Sequence, residues 1–255
     1  NPRSMHLRVF VGKRSASTTT TNFTRTALRK MIRDTIEMAR VSEPDDDAGL
    51  PAAEHFAKDL PELDLADPNY GKLTNDERLR LALATDAAAF ANEKITNSRG
   101  TTFADETAIY VYANSRGFAG AYESTAYQLV SQVVAGTGTD MKVGFDYSIH
   151  RNLANLKSPQ EIGDKAAERA IEQMGSRKVK TQKVPVIFDR RMAAQLLGQF
   201  VGAASGTHVY RESSFMAGLL GEKVASDLIK IVDDGHIPGA IGSRPFDKEG
   251  LPTDK

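Results

Sequence analysis

The spacing of apolar positions predicts a strand hairpin and then a helix in the first 40 residues. Residues 6–21 alternate between apolar and polar side chains and carry many β-branched ones, which predicts a hairpin that turns at Gly12. In residues 26–40 the apolar positions recur at helical spacing, which predicts an amphipathic helix. Asn22 or Thr24 is placed to cap its amino terminus, because either side chain can accept a hydrogen bond from the first turn.

The periodicity is lost in residues 42–69, which are acidic and interrupted by prolines. This composition favours a solvated, partly irregular connector over the surface, although its carboxylates are also suited to a basic partner. Thr74 then opens a helix, with Glu77 at the position that completes a capping box. The alanine- and leucine-rich run predicts that this helix continues to Lys94, followed by a break over residues 95–102.

Residues 103–147 predict a β-meander. Its three strands are expected at residues 107–113, about 122–134 and 141–147, and glycine-containing turns join them. Antiparallel strands joined by such tight turns form a sheet with one covered face.

Helix and strand signals alternate again after the meander. Ser158, followed by a proline, predicts the start of a helix that runs to Met174. Residues 184–188 predict a short strand, Asp189 is placed to cap the helix that follows, and residues 228–232 predict a further strand. The order of these elements indicates an α+β fold.

Composition narrows the class of protein. The chain has 255 residues, 40% hydrophobic and 26% charged, which is sufficient for a globular core. A formal net charge of zero argues against nucleic-acid binding, which normally requires a basic excess. There is no apolar run of about 20 residues to span a membrane, no signal-peptide pattern at the start and no cysteine to form a disulfide or bind a metal. A cytoplasmic location is therefore the default expectation.

The histidine, carboxylate and serine residues do not match the sequence pattern of a catalytic zinc site or of a nucleophile elbow. The five histidines are scattered, and His208 with Glu212 is a histidine–carboxylate pair near helical spacing. One pair does not hold a catalytic zinc ion, which usually has three protein ligands, so a surface or loop histidine is favoured. Ser205 also lacks the flanking residues of a nucleophile elbow.

Two clusters of charged residues, one acidic and one basic, are expected to have structural and not functional roles. Carboxylates near the carboxyl end do not match the spacing of a calcium loop and are expected in turns; they are Asp233, Asp234, Asp247 and Glu249. A basic patch carries no interleaved aromatic residues, so base stacking is not expected there; it consists of Lys178, Lys180 and Lys183.

Three blocks of sequence resemble the TldD/PmbA family: residues 185–206, 211–224 and 231–253, which begin PVIFDRRMA, RESSFMAG and IVDDGHIPG. The earlier pieces RVFVGKRSASTTTTNF and ANSRGF agree with this resemblance, so it covers nearly the whole chain. The resemblance implies that the chain is part of a longer family member. Residues 1–180 would then be a partial N-terminal α+β domain, and residues 181–255 the start of a C-terminal β-rich domain.

The resemblance also assigns roles to positions in LLGQFVGA. In the TldD type, this segment carries a helical H-E-x-x-x-H motif whose histidines bind zinc and whose glutamate is the general base. The matching positions are Gly198, Gln199 and Ala203, so both metal-ligand positions and the general-base position lack the required groups. This pattern matches the PmbA type, also called TldE, and implies that this chain contributes no catalytic, cofactor or metal residue.

Three functions follow from the resemblance. The first is a non-catalytic subunit that helps to process unfolded peptides, holding an extended peptide along a sheet edge. Its partner would be a TldD-type protein, which supplies the zinc, or a second copy of itself. The second is a metallopeptidase whose ligands lie outside this chain. The third is a regulatory protein associated with DNA gyrase, since the family has carried that label.

Overall fold

The fold combines two separate antiparallel sheets with helices. A computed structural model describes residues 2–254. Its strands and α-helices, in chain order, are β1 (Met5–Val11), β2 (Arg14–Thr20), α1 (Arg25–Val41), α2 (Asn75–Phe90), β3 (Ile95–Ala113), β4 (Ala119–Ala135), β5 (Lys142–His150), α3 (Pro159–Glu172), α4 (Arg190–Ala204) and α5 (Gly206–Tyr210). This arrangement confirms the α+β class.

The first sheet is the predicted hairpin, with α1 packed against it. Strands β1 and β2 pair antiparallel, and Gly12 occupies their turn with a φ of 61°, a conformation that favours glycine. The Thr24 side chain accepts a hydrogen bond from the Ala27 N–H at 3.4 Å, which identifies Thr24 as the cap. The buried side chains of α1 are Met31, Thr35 and Ala39.

The second sheet is the predicted meander, in the order β3-β4-β5. Strand β3 begins at Ile95, so the expected break over residues 95–102 is wrong. Two register shifts interrupt the pairing in this part of β3, between Ile95 and Asn97 and between Ser98 and Gly100. The hydroxyls of Ser98 and Thr101 donate to the Asp86 carboxylate of α2 at 2.9 and 3.1 Å. Pairing with β4 therefore outweighs the weak strand propensity of these residues.

Helices α2 and α3 cover one face of this sheet. The predicted capping box is present at the start of α2, and α3 has a second one. Helix α2 ends at Phe90 and not at Lys94. The core between helices and sheet is made largely of small residues: Ala89, Ile95, Val133, Ala135, Ala166, Ala167 and Ala170. Such side chains allow the helices to lie close to the strands.

The acidic connector is only partly the solvated segment that its composition predicts. Phe56, Leu63, Leu65 and Asp67 are buried, although the segment is mostly irregular. The N–H of Thr125 on β4 donates to the Leu65 carbonyl at 3.0 Å, which attaches the connector to the sheet. Apolar residues between the acidic ones therefore join the connector to the core.

The predicted strands at residues 184–188 and 228–232 are absent, and this prediction is wrong. Both segments contain β-prone residues, but no neighbouring strand lies beside them to complete a ladder. None of residues 175–238 is buried. Among the residues that the structure describes, no helix has the length and apolar character required to cross a membrane.

Candidate functional site

Helix α4 carries the three positions that the sequence singles out. Asp189 caps it as predicted, because its carboxylate accepts the Arg191 N–H at 3.0 Å. At the other end, the Ser214 hydroxyl donates to the Ala203 carbonyl at 2.5 Å and satisfies a group that the helix leaves unpaired. The segment LLGQFVGA therefore lies within a helix that has a side-chain hydrogen bond at each end, although none of its side chains is buried.

The three positions lie on an accessible part of this helix. Gly198 and Gln199 are exposed, Ala203 is half-buried, and a Cβ added at Gly198 would meet no atom within 4 Å. At 3.6 residues per turn, positions 198 and 203 point about 140° apart around the helix axis. Space is therefore available for larger side chains, but a pair at this spacing does not share one narrow face.

The residues present on α4 do not fit a zinc ion. Gly198 and Ala203 have no donor atoms in their side chains, and the Gln199 amide is neither a proton acceptor at neutral pH nor a usual zinc ligand. Elsewhere in residues 2–254, no three histidine, cysteine, aspartate or glutamate side chains converge to form a metal site.

A buried carboxylate on the edge strand β5 lies beside the first turn of α4. The side chain of Asp146 is 1% exposed and accepts hydrogen bonds from Arg169 at 2.5 Å and from Lys157 at 3.2 Å. Arg191 of α4 forms a third ion pair with the same carboxylate. Burial raises the pKa of Asp146, but the hydrogen bonds from Arg169 and Lys157 outweigh it and hold the pKa below its ordinary value.

Arg191 connects α4 to the sheet by two kinds of contact. Besides the ion pair with Asp146, its guanidinium lies 5.4 Å from the ring centroid of Phe145 and 5.2 Å from that of Tyr147. Both distances are within the range of a cation–π interaction. The sequence does not reveal this site, since nothing local indicates that residues 45 positions apart form a pair.

The other candidate residues take structural roles. His208 lies on α5 with its Nδ1 3.3 Å from the Ser213 hydroxyl. The turn prediction is confirmed for Asp247, whose carboxylate accepts the backbone N–H groups of residues 249 and 251, and for Asp234, which accepts that of residue 236. Glu249 pairs with Arg8 at 2.6 Å. The three lysines of the basic patch are exposed in a segment without regular secondary structure.

Family models match two parts of the chain. Residues 68–174 match the PmbA/TldA metallopeptidase central domain, and residues 181–255 match the PmbA/TldA metallopeptidase C-terminal domain. The chain therefore belongs to the TldD/PmbA family. The resemblance inferred from the sequence is confirmed.

Individual relatives agree with this assignment. Metalloprotease PmbA of Escherichia coli O157:H7 is 33% identical over 253 residues, which cover 99% of this chain and 56% of that protein. A Metalloprotease TldD homolog of Haemophilus influenzae is 39% identical over 71 residues, 28% of this chain and 15% of that protein. The chain thus spans about half the length of the curated PmbA relative, and the match to the TldD homolog is confined to a short part of it.

Two solved structures share the fold. A crystal structure of a candidate modulator of DNA gyrase from Bacteroides thetaiotaomicron superposes with a TM-score of 0.90 and 28% identity, over 98% of this chain and 57% of that one. The crystal structure of TldE from Thermococcus kodakarensis has a TM-score of 0.73 and 21% identity, over 96% of this chain and 55% of that one. At that identity the second likeness concerns the fold alone.

Proposed function

We propose that this protein is the PmbA-type, non-catalytic subunit of a two-component zinc-dependent peptidase. In this proposal a TldD-type partner binds the zinc ion, and the two proteins together process unfolded peptides in the cytoplasm. The observation that carries the proposal is the absence of donor atoms at Gly198 and Ala203 and of a general base at Gln199, on a helix of a metallopeptidase family.

Two further observations support the PmbA type. The match to the E. coli PmbA extends over nearly the whole chain, whereas the matches to two TldD homologs cover 28% and 47% of it. In addition, α4 is regularly helical through all three positions, so the missing groups reflect substitution and not a loss of the helix.

The test is co-expression of the full-length protein with the TldD-type protein of the same genome. We expect the two to co-purify, zinc to follow the TldD-type protein, and cleavage of an unfolded substrate to require both. A chelator is expected to abolish cleavage. If the proteins do not associate and the partner cleaves equally well alone, the proposal is wrong.

A variant of α4 tests the assignment of its positions. The triple substitution Gly198→His, Gln199→Glu and Ala203→His restores the motif of the TldD type. We expect it to raise the zinc content of the full-length protein when a further ligand completes the site, since two histidines alone do not make a catalytic zinc site. The matched control creates the same motif four positions earlier, through Ala194→His, Gln195→Glu and Gln199→His, and is expected to bind no more zinc than the wild type.

Two other functions predict different results. A role with DNA gyrase is motivated by the Bacteroides relative, a candidate modulator of DNA gyrase, and it predicts that the protein recovers gyrase from cells without a TldD-type protein. A metallopeptidase with ligands outside this chain predicts stoichiometric zinc and chelator-sensitive cleavage by the full-length protein alone. Zinc analysis of the separately purified protein distinguishes this last function from our proposal.

A further inference from the structure

The two outer strands of the meander differ in how their free edges are covered. On β5, the Arg169 guanidinium donates to the Phe145 carbonyl and the Gln173 amide donates to the Val143 carbonyl, each at 2.9 Å. These side chains, from α3 and from the residue that follows its last turn, occupy the acceptors that an added strand would use. The outer edge of β3 over residues 107–113 receives no such covering from the other described residues.

The direction of the backbone groups on β3 follows from its hairpin with β4. The Asn114 N–H donates to the Phe118 carbonyl at 3.0 Å. Because hydrogen-bonded residues alternate along an antiparallel pair, Tyr112 and Tyr110 direct their backbone groups to β4. Ile109 and Val111 therefore direct theirs away from the sheet.

The side chains of this free edge are apolar and accessible. Ile109 is 73% exposed, Val111 is 69% exposed and Tyr110 is 37% exposed, and no charged residue occurs from Thr107 to Ala113. The register shifts of β3 lie in its first half, so they do not distort this part of the edge. An uncharged, regular edge of this kind is a template for pairing with another strand.

We propose that residues 107–113 pair antiparallel with the same residues of a second copy of this chain and form a continuous six-stranded sheet. The segment is self-complementary about Tyr110. A two-fold axis at that residue places Ile109 opposite Val111 of the second copy, and both positions direct their backbone groups outward, as a hydrogen-bonded pair requires.

The side chains agree with the same register. Ile109 and Val111 of the two copies form one apolar group on one face, and the two Tyr110 side chains face each other on the opposite face. The nearest acidic residues, Asp105 and Glu106, fall opposite Ser115 and Asn114 of the second copy, so like charges are not opposed. This self-pairing does not depend on the proposed zinc-binding partner.

Sedimentation of the full-length protein alone provides the first test. The wild type is expected to be a dimer. Ile109→Pro removes an outward N–H. Ile109→Lys places one positive charge from each copy within the shared apolar group, so both variants are expected to be monomers. Val143→Pro changes an outward position on the covered edge of β5 and is expected to remain a dimer. A monomeric wild type, or Ile109 variants that remain dimers while still folded, would overturn the proposal.

Cross-linking tests the register, because the chain has no cysteine of its own. Directly opposed residues in a non-hydrogen-bonded pair have Cα atoms about 4.5 Å apart, within the range of a disulfide. Tyr110→Cys is therefore expected to form a covalent dimer on oxidation. In Ile109→Cys the two cysteines are at diagonal positions, with Cα atoms about 7–8 Å apart, so little cross-linking is expected. The reverse result, or a wild-type monomer that binds an extended peptide at this edge, would contradict the self-pairing.

Discussion

Two parts of the chain, residues 68–174 and residues 175–238, place their apolar side chains in different environments. In residues 68–174, Ala89, Val133 and Ala166 are fully buried between the sheet and its two helices. In residues 175–238 no residue is buried, and Ile187 and Leu228 expose 98% and 92% of their surface. Both regions contain amphipathic or β-prone segments, so composition does not explain the difference.

The difference shows that an element needs a second layer before its apolar residues form a core. Helices α2 and α3 each lie on a three-stranded sheet, whereas α4 contacts the sheet mainly through the side chain of Arg191. An apolar helix stripe without such a layer gains no burial free energy. The same type of substitution is therefore expected to have opposite effects in the two regions.

The largest effect is expected from Gly144→Ala in the packed region. A Cβ at this position would overlap the backbone of Ala166 and Ala170 on α3, which cannot move without separating the helix from the sheet. We expect the free energy of unfolding to fall by about 3 kcal/mol, at the upper end for overpacked cores. Denaturant titration followed by circular dichroism measures this. An unchanged midpoint would mean that α3 packs less closely than described.

A slightly smaller effect is expected from Asp146→Asn. The Asp146 side chain joins the two regions through its ion pair with Arg191. The substitution leaves Arg169, Lys157 and Arg191 without their common carboxylate, and because these cations are partly exposed we expect a loss of about 2–3 kcal/mol near neutral pH. The control is Asp164→Asn on the outer side of α3, where little change is expected.

The same carboxylate gives a pH dependence of defined sign. The pKa of Asp146 is lower in the folded protein than its ordinary value of 3.8, so its stabilisation is complete above that value and is lost as the pH falls through the folded pKa. The difference in melting temperature between the wild type and Asp146→Asn should therefore shrink below about pH 4. A constant difference down to pH 2 would show that the charge of Asp146 does not stabilise the fold.

Arg191→Gln is expected to have a smaller, local effect. It removes the ion pair and both ring contacts that hold α4 to β5, and we expect a loss of about 1 kcal/mol. Hydrogen exchange should become faster in residues 184–204 and remain unchanged in α3. The adjacent, exposed Arg190 provides the control through Arg190→Gln. Equal effects of the two variants would argue against the contact with β5.

Gly198→Ala should have the smallest effect, with the opposite sign. A Cβ at this position meets nothing within 4 Å, so alanine should stabilise α4 locally by about 0.5–1 kcal/mol. Gly202→Ala, at an equally open position, is expected to do the same. Hydrogen exchange within α4 measures the gain. A destabilising effect at position 198 alone would indicate that another surface approaches the helix there in the full-length protein.

The sequence by itself determined features that depend on neighbouring residues. The turn at Gly12, the capping box of Thr74 and Glu77, and the cap at Asp189 were all predicted and confirmed. Each arises because a side chain or a glycine acts on backbone groups within a few positions. The assignment of Gly198, Gln199 and Ala203 to the positions of the zinc motif rests on the resemblance to a family and stays a prediction.

The tertiary structure decided what depends on distant partners. Residues 95–102 form a strand because β4 pairs with them, whereas residues 184–188 do not, although their β propensity is higher. The ion pair of Asp146 with Arg191 likewise joins residues far apart in the chain. Strand pairing and ion-pair burial require a second element at a defined distance, and no local pattern of residues specifies that element.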